Sequence, residues 1–538
     1  MSKAEKTHLN WMGGKSFDIQ DPLLQLRVAA SSCFFGEPQF YHQDPDDTRK
    51  VRAPRHDISS ARASKLQGAD LARLRESLGA LDPLEWRSKT PAELIESVVD
   101  DALAHDAEAT LKEAVRLRNQ ENMRTTPQVI LVRAAHHKAV KGTGLVRKYA
   151  PEIIRRADEP SVGLAYHIFR FGEKTPIPNS LKKAWSDAFG RFKEYDLAKY
   201  RMSDRDVKTV DVVNLVHPKG EAVSKLVKNE LKTTDLTWES IISKEGSTTE
   251  TWTKALDVMG HMAMLKNLRN LVEKGVPLDL FVEKLLAGAP KGKQLPFRYF
   301  SAYRALKETG KAPGRLLEAT EECLKLSLGN LPKLDGRVMS LADNSGSAKG
   351  ATTSSMGSMS MASIANLTGI LAAMRADEGH LGVFGDLLRT IQVTANDSIF
   401  KKLEEAEKLG QHDPGGTENG IWLFWEKAIR EKQHWDHVFV FSDMQAGHGG
   451  LYGTDSGAYR DFQWSDKKHI DVGKLINAYR AKVNPNVNVF LVQVAGYKDT
   501  LLPEFYARTY ILGGWGEGLL RFAAEMAKLI PAASEKAA

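Results

Sequence analysis

The sequence predicts a multidomain chain in two parts: an all-α stack of short paired helices, then an α/β domain of the doubly wound kind. Three observations predict it. From about residue 60 to 330, apolar residues recur at helical spacing with hardly any strand pattern between them. After "LPKLDG" (331–336), short apolar runs alternate with amphipathic stretches, as in a mostly parallel sheet with helices on both faces. The charge changes at the same place. Residues 336–538 carry 21 Lys and Arg against 23 Asp and Glu, so the chain's net charge of +7 leaves a net of +9 on residues 1–335. The predicted domains are therefore 1–335 and 336–538.

The helical part opens with "TPAELIESVVDDALAHD", whose Leu94, Ile95, Val98, Val99, Ala102 and Leu103 form one stripe. Thr90 as N-cap, Pro91 at the first helical position and Glu93 three residues after the cap punctuate its start. "EATLKEAVRLRNQ", "TTPQVILVRAAHHKAV", "NSLKKAWSDAFGRFKEYD", "GEAVSKLVKNELK", "ETWTKALDVMGHMAMLKNLRNLVEKG" and "LPFRYFSAYRALKETG" follow, joined by brief Pro, Gly or Ser turns. Short helices in sequence reach of one another suggest a helical-repeat solenoid, with each pair buried against its neighbours. No crisp repeat consensus is visible, so the repeats are degenerate. The methionines of "MGHMAML" read as core packing, and the His136–His137 pair as structural or surface, since no matching ligand set accompanies it.

In the second part the expected strands are "RVMSLAD", "HLGVFGD", "HVFVFSD", "VNVFLVQVAG" and "ARTYILGG". The helices are centred on "SIANLTGILAAMRAD", "NGIWLFWEKAIREK", "VGKLINAYRAKV" and "GLLRFAAEMAKLI". Ligands of such sheets sit at the carboxyl ends of the strands, where Asp343 and Asp443 both stand. In "DNSGS", Asp343, Ser345 and Ser347 fall at alternate positions, so one carboxylate and two hydroxyls can face one side of a tight turn. Taken alone this is an ordinary turn composition. Thr417, just before the helix "IWLFWEKAI", and Asp443 add a hydroxyl and a carboxylate from two further loops. The donors are all oxygens, which suits a hard divalent cation such as Mg²⁺. No positioned general base or nucleophile and no pair of carboxylates for a two-metal centre accompanies them, so neither a hydrolase nor a nuclease is expected.

Composition bounds the rest. Hydrophobic content of 42% and charged content of 27% are ordinary for a globular protein. Two cysteines, Cys33 and Cys323, make no disulfide framework, and "MSKAEKTHLN" is no signal peptide, so a reducing, cytoplasmic setting is expected. No apolar run approaches the roughly 20 residues that cross a bilayer. A basic module beside a near-neutral one suggests a polyanionic partner for the first, against the plainer reading of a lysine-rich solvated surface.

The three-loop oxygen set resembles the metal-ion-dependent adhesion site of a von Willebrand factor A-type domain. That resemblance implies direct binding by Ser345 and Ser347, with Thr417, Asp343 and Asp443 bound directly or through water. The first part resembles the TROVE module, named for telomerase, Ro and vault proteins, in several quoted stretches. These are "NWMGGKSFDIQDPLLQLRVAASSCFFGEPQFYHQ", "RTTPQVILVRAAHH", "DLAKYRMSDRDVKTVDVVNLVHPKGEAVSKLV", "WTKALDVMGHMAMLKNLRNL" and "LPFRYFSAYRALKETG". TROVE followed by an A-type domain is the layout of the Ro ribonucleoprotein autoantigen family and its bacterial members, and the likeness covers about residues 9–530. It implies HEAT-like repeats closed into a ring, a monomer, and a small noncoding Y-like RNA on a basic outer surface. It also implies single-stranded 3′ ends of misfolded or unprocessed RNA in the channel, with an exoribonuclease as a possible partner. Lys199 and His217 match positions that contact the Y RNA. The arginine expected shortly after Lys199 is displaced, with Ser203 in its place and Arg201 and Arg205 on either side. Without the resemblance, Lys199 is equally a solvated helix charge and His217 a helix C-cap. Two insertions, 348–363 and 448–468, depart from the family pattern and are expected to overhang the metal site. The competing reading is a metal-dependent protein-interaction scaffold in which RNA is incidental.

Overall fold

Helical spacing in the first part becomes a stack of helices packed on near neighbours in the chain, chiefly on the next but one. Ala107–Asn119, Thr125–His136, Leu145–Ile153, Glu159–Phe171 and Asn179–Phe189 show the pattern. It is the packing of a repeat solenoid, in which burial is local. The computed structural model describes residues 7–9, 15–32, 91–201, 207–231, 237–292, 294, 296–328, 332–350, 359–412, 419–444, 456–463, 470–494, 499–502, 508–514, 519–520 and 523–524. They fall into two units: one made of the described residues within 95–328, the other of 7–32 and 91–94 with 332–524.

In the helical unit a buried polar network ties three helices. Arg133 donates to Asp100 Oδ1 (2.8 Å) and to the Tyr166 hydroxyl (2.8 Å), which donates to Glu96 Oε1 (2.6 Å). Glu96 Oε2 also meets Arg170 at 3.2 Å. His136 belongs to this packing and not to a ligand set. Its Nε2 lies 3.0 Å from His167 Nδ1, and its ring stacks on Phe171 at 3.9 Å. The tautomers follow from the Thr175 carbonyl, which can only accept, 3.0 Å from His167 Nε2. His167 therefore carries its proton on Nε2, and His136 Nε2–H donates to His167 Nδ1. Burial, with His167 and Arg133 nearby, pushes the His136 pKa down to about 4.

The methionine-rich stretch is core, as expected: Met259 and Met264 are buried. Its histidine is the pivot. His261 Nδ1 donates to the Leu285 carbonyl (2.9 Å) and Nε2 accepts from the Tyr299 hydroxyl (3.1 Å). The ring lies so close to the chain at "GAPKG" that a Cβ on Gly292 would stand 2.4 Å from His261 Cδ2. Arg124 and Met262, far apart in sequence, also meet, with Arg124 Nη2 3.8 Å from Met262 Sδ. At roughly 10 Å per packed helix pair, a straight stack would hold these helices far out of reach, so the helical unit curves back on itself.

The other unit is built on a six-stranded sheet. Its strands are β3 (Leu334–Asp343), β4 (Ala376–Phe384), β5 (Leu388–Val393), β6 (His437–Ser442), β7 (Asn488–Gln493) and β9 (Thr509–Gly513), in the order β5-β4-β3-β6-β7-β9. All neighbours are parallel except β4–β5. Helix Met361–Met374 is mostly apolar and buried from Met361 to Ala373, as suits a central helix against a sheet. The opposite face carries an aromatic core of Trp422, Phe424, Trp425, Trp435 and Tyr479.

Three differences from expectation have physical causes. First, the N-terminal stretch assigned to the helical module joins the α/β unit. β1 (Thr7–Leu9) pairs with β2 (Lys15–Asp18), and β2 pairs with β8 (Asp499–Thr500). Helix Pro22–Ser32, capped by Asp21 with Pro22 at its first position, packs Val28 against β9. No local pattern could report those long-range pairings. Second, β5 is an edge strand with mostly exposed or half-buried residues, so it shows no apolar run. Third, helix Ile399–His412, polar along most of its length, is absent from the expected elements. Of the two insertions, 351–358 lie outside the described residues, whereas Ser456–Phe462 buries Tyr459 in the aromatic core. Among the described residues no helix is long and apolar enough to cross a membrane.

Gly292→Ala forces a methyl into the His261 ring and should lower stability by about 1–3 kcal/mol in urea unfolding. The His136 pKa is lower folded than unfolded, so its stabilising effect is complete above about pH 6.5 and is lost as pH falls toward 4. The half-buried ring limits the effect to about 1–2 kcal/mol. Melting curves between pH 7.5 and 4.5 should show it, and His136→Phe, which keeps the Phe171 stack, should flatten that part of the profile.

Candidate functional site

Strand order positions the oxygen-rich loops. After β3 the chain moves outward to β4 and β5, then returns to place β6 on the other side of β3. The carboxyl ends of β3 and β6 therefore flank the point where the strand order reverses, which is where open α/β sheets bind ligands. Asp343 is the last residue of β3, and Asp443 directly follows β6. Both are almost fully buried, at 0% and 1% exposed, as is Ser345 at 1%.

The Asp343 carboxylate is held at both oxygens. Oδ1 accepts from the Ser345 N–H (2.9 Å) and Oδ2 from the Ser442 hydroxyl (2.7 Å), which in turn accepts from the Met444 N–H (3.0 Å). Met444 takes a left-handed φ of 60°, the chain's sharp exit from β6 just after Asp443. Gln493 donates to the Asp443 carbonyl at 3.1 Å. Between Asp343 and Ser345, the Asn344 amide exchanges two hydrogen bonds with Asn366 (2.9 and 3.0 Å), clamping the turn to helix Met361–Met374. Gly410 makes room for this amide, since a Cβ there would sit 2.3 Å from Asn344 Oδ1. Lys349 also donates to the Gly410 carbonyl at 3.0 Å.

The structure thus brings Asp343, Ser345 and Asp443 to one edge. The backbone of Ser347 lies in the short helix Gly346–Gly350, but its side chain is outside the described set, and Thr417 lies outside the described residues. Among the described residues no group of three or more His, Cys, Asp or Glu side chains is placed to hold a metal ion. Two carboxylates and hydroxyls remain, a donor set of hard oxygens that fits a cation keeping some of its waters. Ser442 and the Asn344–Asn366 clamp were missed in the sequence. Ser442 could have been found from register: Ala342 pairs with Phe441, so the next residues along, Asp343 and Ser442, fall side by side.

The second group of candidates lies in the helical unit. Thr209 ties Arg201 and Tyr200 to the start of helix Thr209–Val216, its N–H donating to the Arg201 carbonyl (3.1 Å) and its hydroxyl to that of Tyr200 (2.5 Å). His217 closes the other end of that helix in a left-handed conformation (φ 48°, ψ 54°), donating its N–H to the Val213 carbonyl at 2.9 Å. The C-cap reading therefore holds for its backbone, while the residue as a whole stays exposed. Lys199 and Arg201 sit at one end of this helix and His217 at the other, about 12 Å apart for eight residues. Arg201 Nη2 donates to Asn229 Oδ1. Arg205 lies outside the described residues.

Charge on this surface is sorted by function within the fold. Asp196 and Asp211 accept the backbone N–H of Lys193 (3.0 Å) and Lys208 (2.7 Å) at two helix starts. Glu194 and Glu221 both pair with Lys225, at 2.9 and 3.0 Å. Lys193, Lys199, Lys208, Lys219 and Lys228 are exposed and form no ion pair with a described residue; of the exposed acids, Asp211 caps a helix start, Glu221 pairs with Lys225, and Glu230 forms no ion pair with a described residue. Lys199 Nζ lies 5.6 Å from the Tyr195 ring centre and 5.5 Å from that of Tyr200.

The family model of the TROVE domain matches residues 231–314. No curated protein matches the chain. The crystal structure of the Ro (RSR) protein of Deinococcus radiodurans aligns with a TM-score of 0.55 over 80% of this chain and 93% of that one, at 15% sequence identity. The helical-repeat unit and the α/β unit thus share that protein's fold.

Proposed function

For a chain that carries a TROVE domain in a Ro-type fold, we propose an RNA-binding function exercised through the helical unit. One observation supports it most. Among the described residues of 193–230, four of the five acids are engaged in helix starts or with Lys225, while Lys193, Lys199, Lys208, Lys219 and Lys228 are exposed around Arg201 and His217. Cations presented this way contact phosphates and position an RNA without reading its sequence. We assign the surface to a small noncoding Y-like RNA, held mainly by shape and backbone. Single-stranded 3′ ends of misfolded or unprocessed RNA would be taken up within the curve of the helical stack, closed as a ring, by charge and stacking. The protein then serves RNA quality control or maturation in the cytoplasm, with an exoribonuclease as a partner and no catalysis of its own.

The α/β unit carries the second element of the proposal, a site for one divalent cation, Mg²⁺ by donor chemistry. Asp343, Ser345, Ser347, Thr417 and Asp443 would hold it. An ion held there would offer a positive charge to an acidic group of a partner. Asp343, fixed at both oxygens by Ser345 and Ser442, orients the loop for it.

Charge reversal at Lys199 and Lys208 should weaken binding of a structured RNA by tenfold or more. It should also lower the slope of log K against log salt by roughly 0.7–0.9 for each phosphate no longer neutralised, as measured by anisotropy from 50 to 200 mM salt. Unchanged affinity would leave the RNA reading without its surface. Adding Mg²⁺ or Mn²⁺ at 100 times the dissociation constant should stabilise the protein by about 2.7 kcal/mol. Asp343→Asn should remove that increment while RNA affinity is retained.

A further inference from the structure

Tyr195 is 48% exposed, on the short helix Glu194–Lys199, between Glu194, which pairs with Lys225, and Asp196, which caps the helix start. A large ring left in water is ordinary when it stands alone. This one is part of an ordered arrangement. Lys199 Nζ sits within cation–π range of both Tyr195 and Tyr200, at 5.6 and 5.5 Å, one turn along from Tyr195. The Arg156 guanidinium covers the Tyr200 ring at 4.2 Å and is itself anchored to Asp158 at 2.8 Å. Tyr200 is further fixed by its carbonyl, which accepts from Thr209. The helix bearing Tyr195 is pinned through Glu194 to Lys225 on helix Glu221–Val227. Arg156, Tyr200 and Lys199 thus form a rigid support, and Tyr195 is its exposed outer member.

We propose that Tyr195 is a stacking platform for a single unpaired nucleobase, beside the lysines that contact the flanking phosphates. The inference rests on the RNA reading above and narrows it to a junction between paired and unpaired nucleotides. The base faces of a continuous duplex are already covered by their neighbours, so an exposed tyrosine gains nothing from them. An unpaired base has a free face, and stacking on an aromatic ring is sequence-tolerant. The Lys199 ammonium beside the ring is in position to neutralise a neighbouring phosphate, so stacking and charge act on the same nucleotide. This also gives the two tyrosines different duties: Tyr200, covered by Arg156, supports, and Tyr195 contacts.

The test uses the full-length protein and two hairpin RNAs of the same stem, one fully paired and one with a single unpaired nucleotide, at one salt concentration. Tyr195→Ala should weaken the RNA with the unpaired nucleotide by about 5- to 100-fold, the range of one base stack, and the paired RNA by less than twofold. The salt slope should not change, because no charge is removed. Tyr195→Phe should retain wild-type affinity, since the ring and not the hydroxyl is used. Equal loss for both RNAs, or no loss for either while Lys199→Glu still weakens binding, overturns the stacking role and leaves the RNA reading standing. Failure of the wild-type protein to bind either RNA at physiological salt would sink both.

Discussion

The register of β3 between β4 and β6 is the constraint on which the α/β unit depends. β3 is parallel to both neighbours, so its carboxyl end is where the chain's path reverses. A one-residue slip of β6 against β3 would turn Ser442 away from Asp343, because neighbouring strand residues face opposite sides. The Ser442–Asp343 hydrogen bond, the Ser345 N–H on the other carboxylate oxygen and the left-handed exit at Met444 all depend on that alignment. The buried carboxylate is tolerable because its oxygens are satisfied. The Asn344–Asn366 exchange adds a sideways lock from the covering helix, with Gly410 leaving space for it.

The helical unit follows a different logic, in which acids hold the fold together and cations are presented. Glu96 and Asp100 are engaged with Arg133, Tyr166 and Arg170 inside the stack. Asp196 and Asp211 satisfy helix starts. A carboxylate bonded to backbone N–H groups keeps its charge but is fixed at the helix start, so the neighbouring lysine side chains are not drawn into pairs with it. Net charge over 335 residues is therefore a blunt guide, and the sorting of partners at each helix end decides what an anion meets.

Much of this was legible in the sequence where burial is local. The Thr-Pro-x-Glu signature marks the helix at Pro91, the apolar runs mark β3, β6 and β7, and "MGHMAML" reads as core. The positions of Asp343 and Asp443 at the carboxyl ends of β3 and β6 were legible because an apolar run stops at each. Partners that only tertiary pairing creates were not legible. The joining of 7–32 to β8 and β9, the Ser442 contact and the His136–His167 bond each link residues whose proximity no window of sequence can show. Tyr195 is hidden for a related reason, since an aromatic at helical spacing reads as core until its exposure is known.

The return of the N-terminal stretch to the α/β unit has a consequence for the helical one. Residues 7–32 belong with the α/β unit and β3 follows the helical residues, so in sequence the helical unit is inserted between two parts of the α/β unit. In a free solenoid the terminal repeats bury one face less than the inner ones and are the first to open. The helical residues here have no free chain terminus, and the entropy of closing the long connection they make between the two parts of the α/β unit is lost on folding.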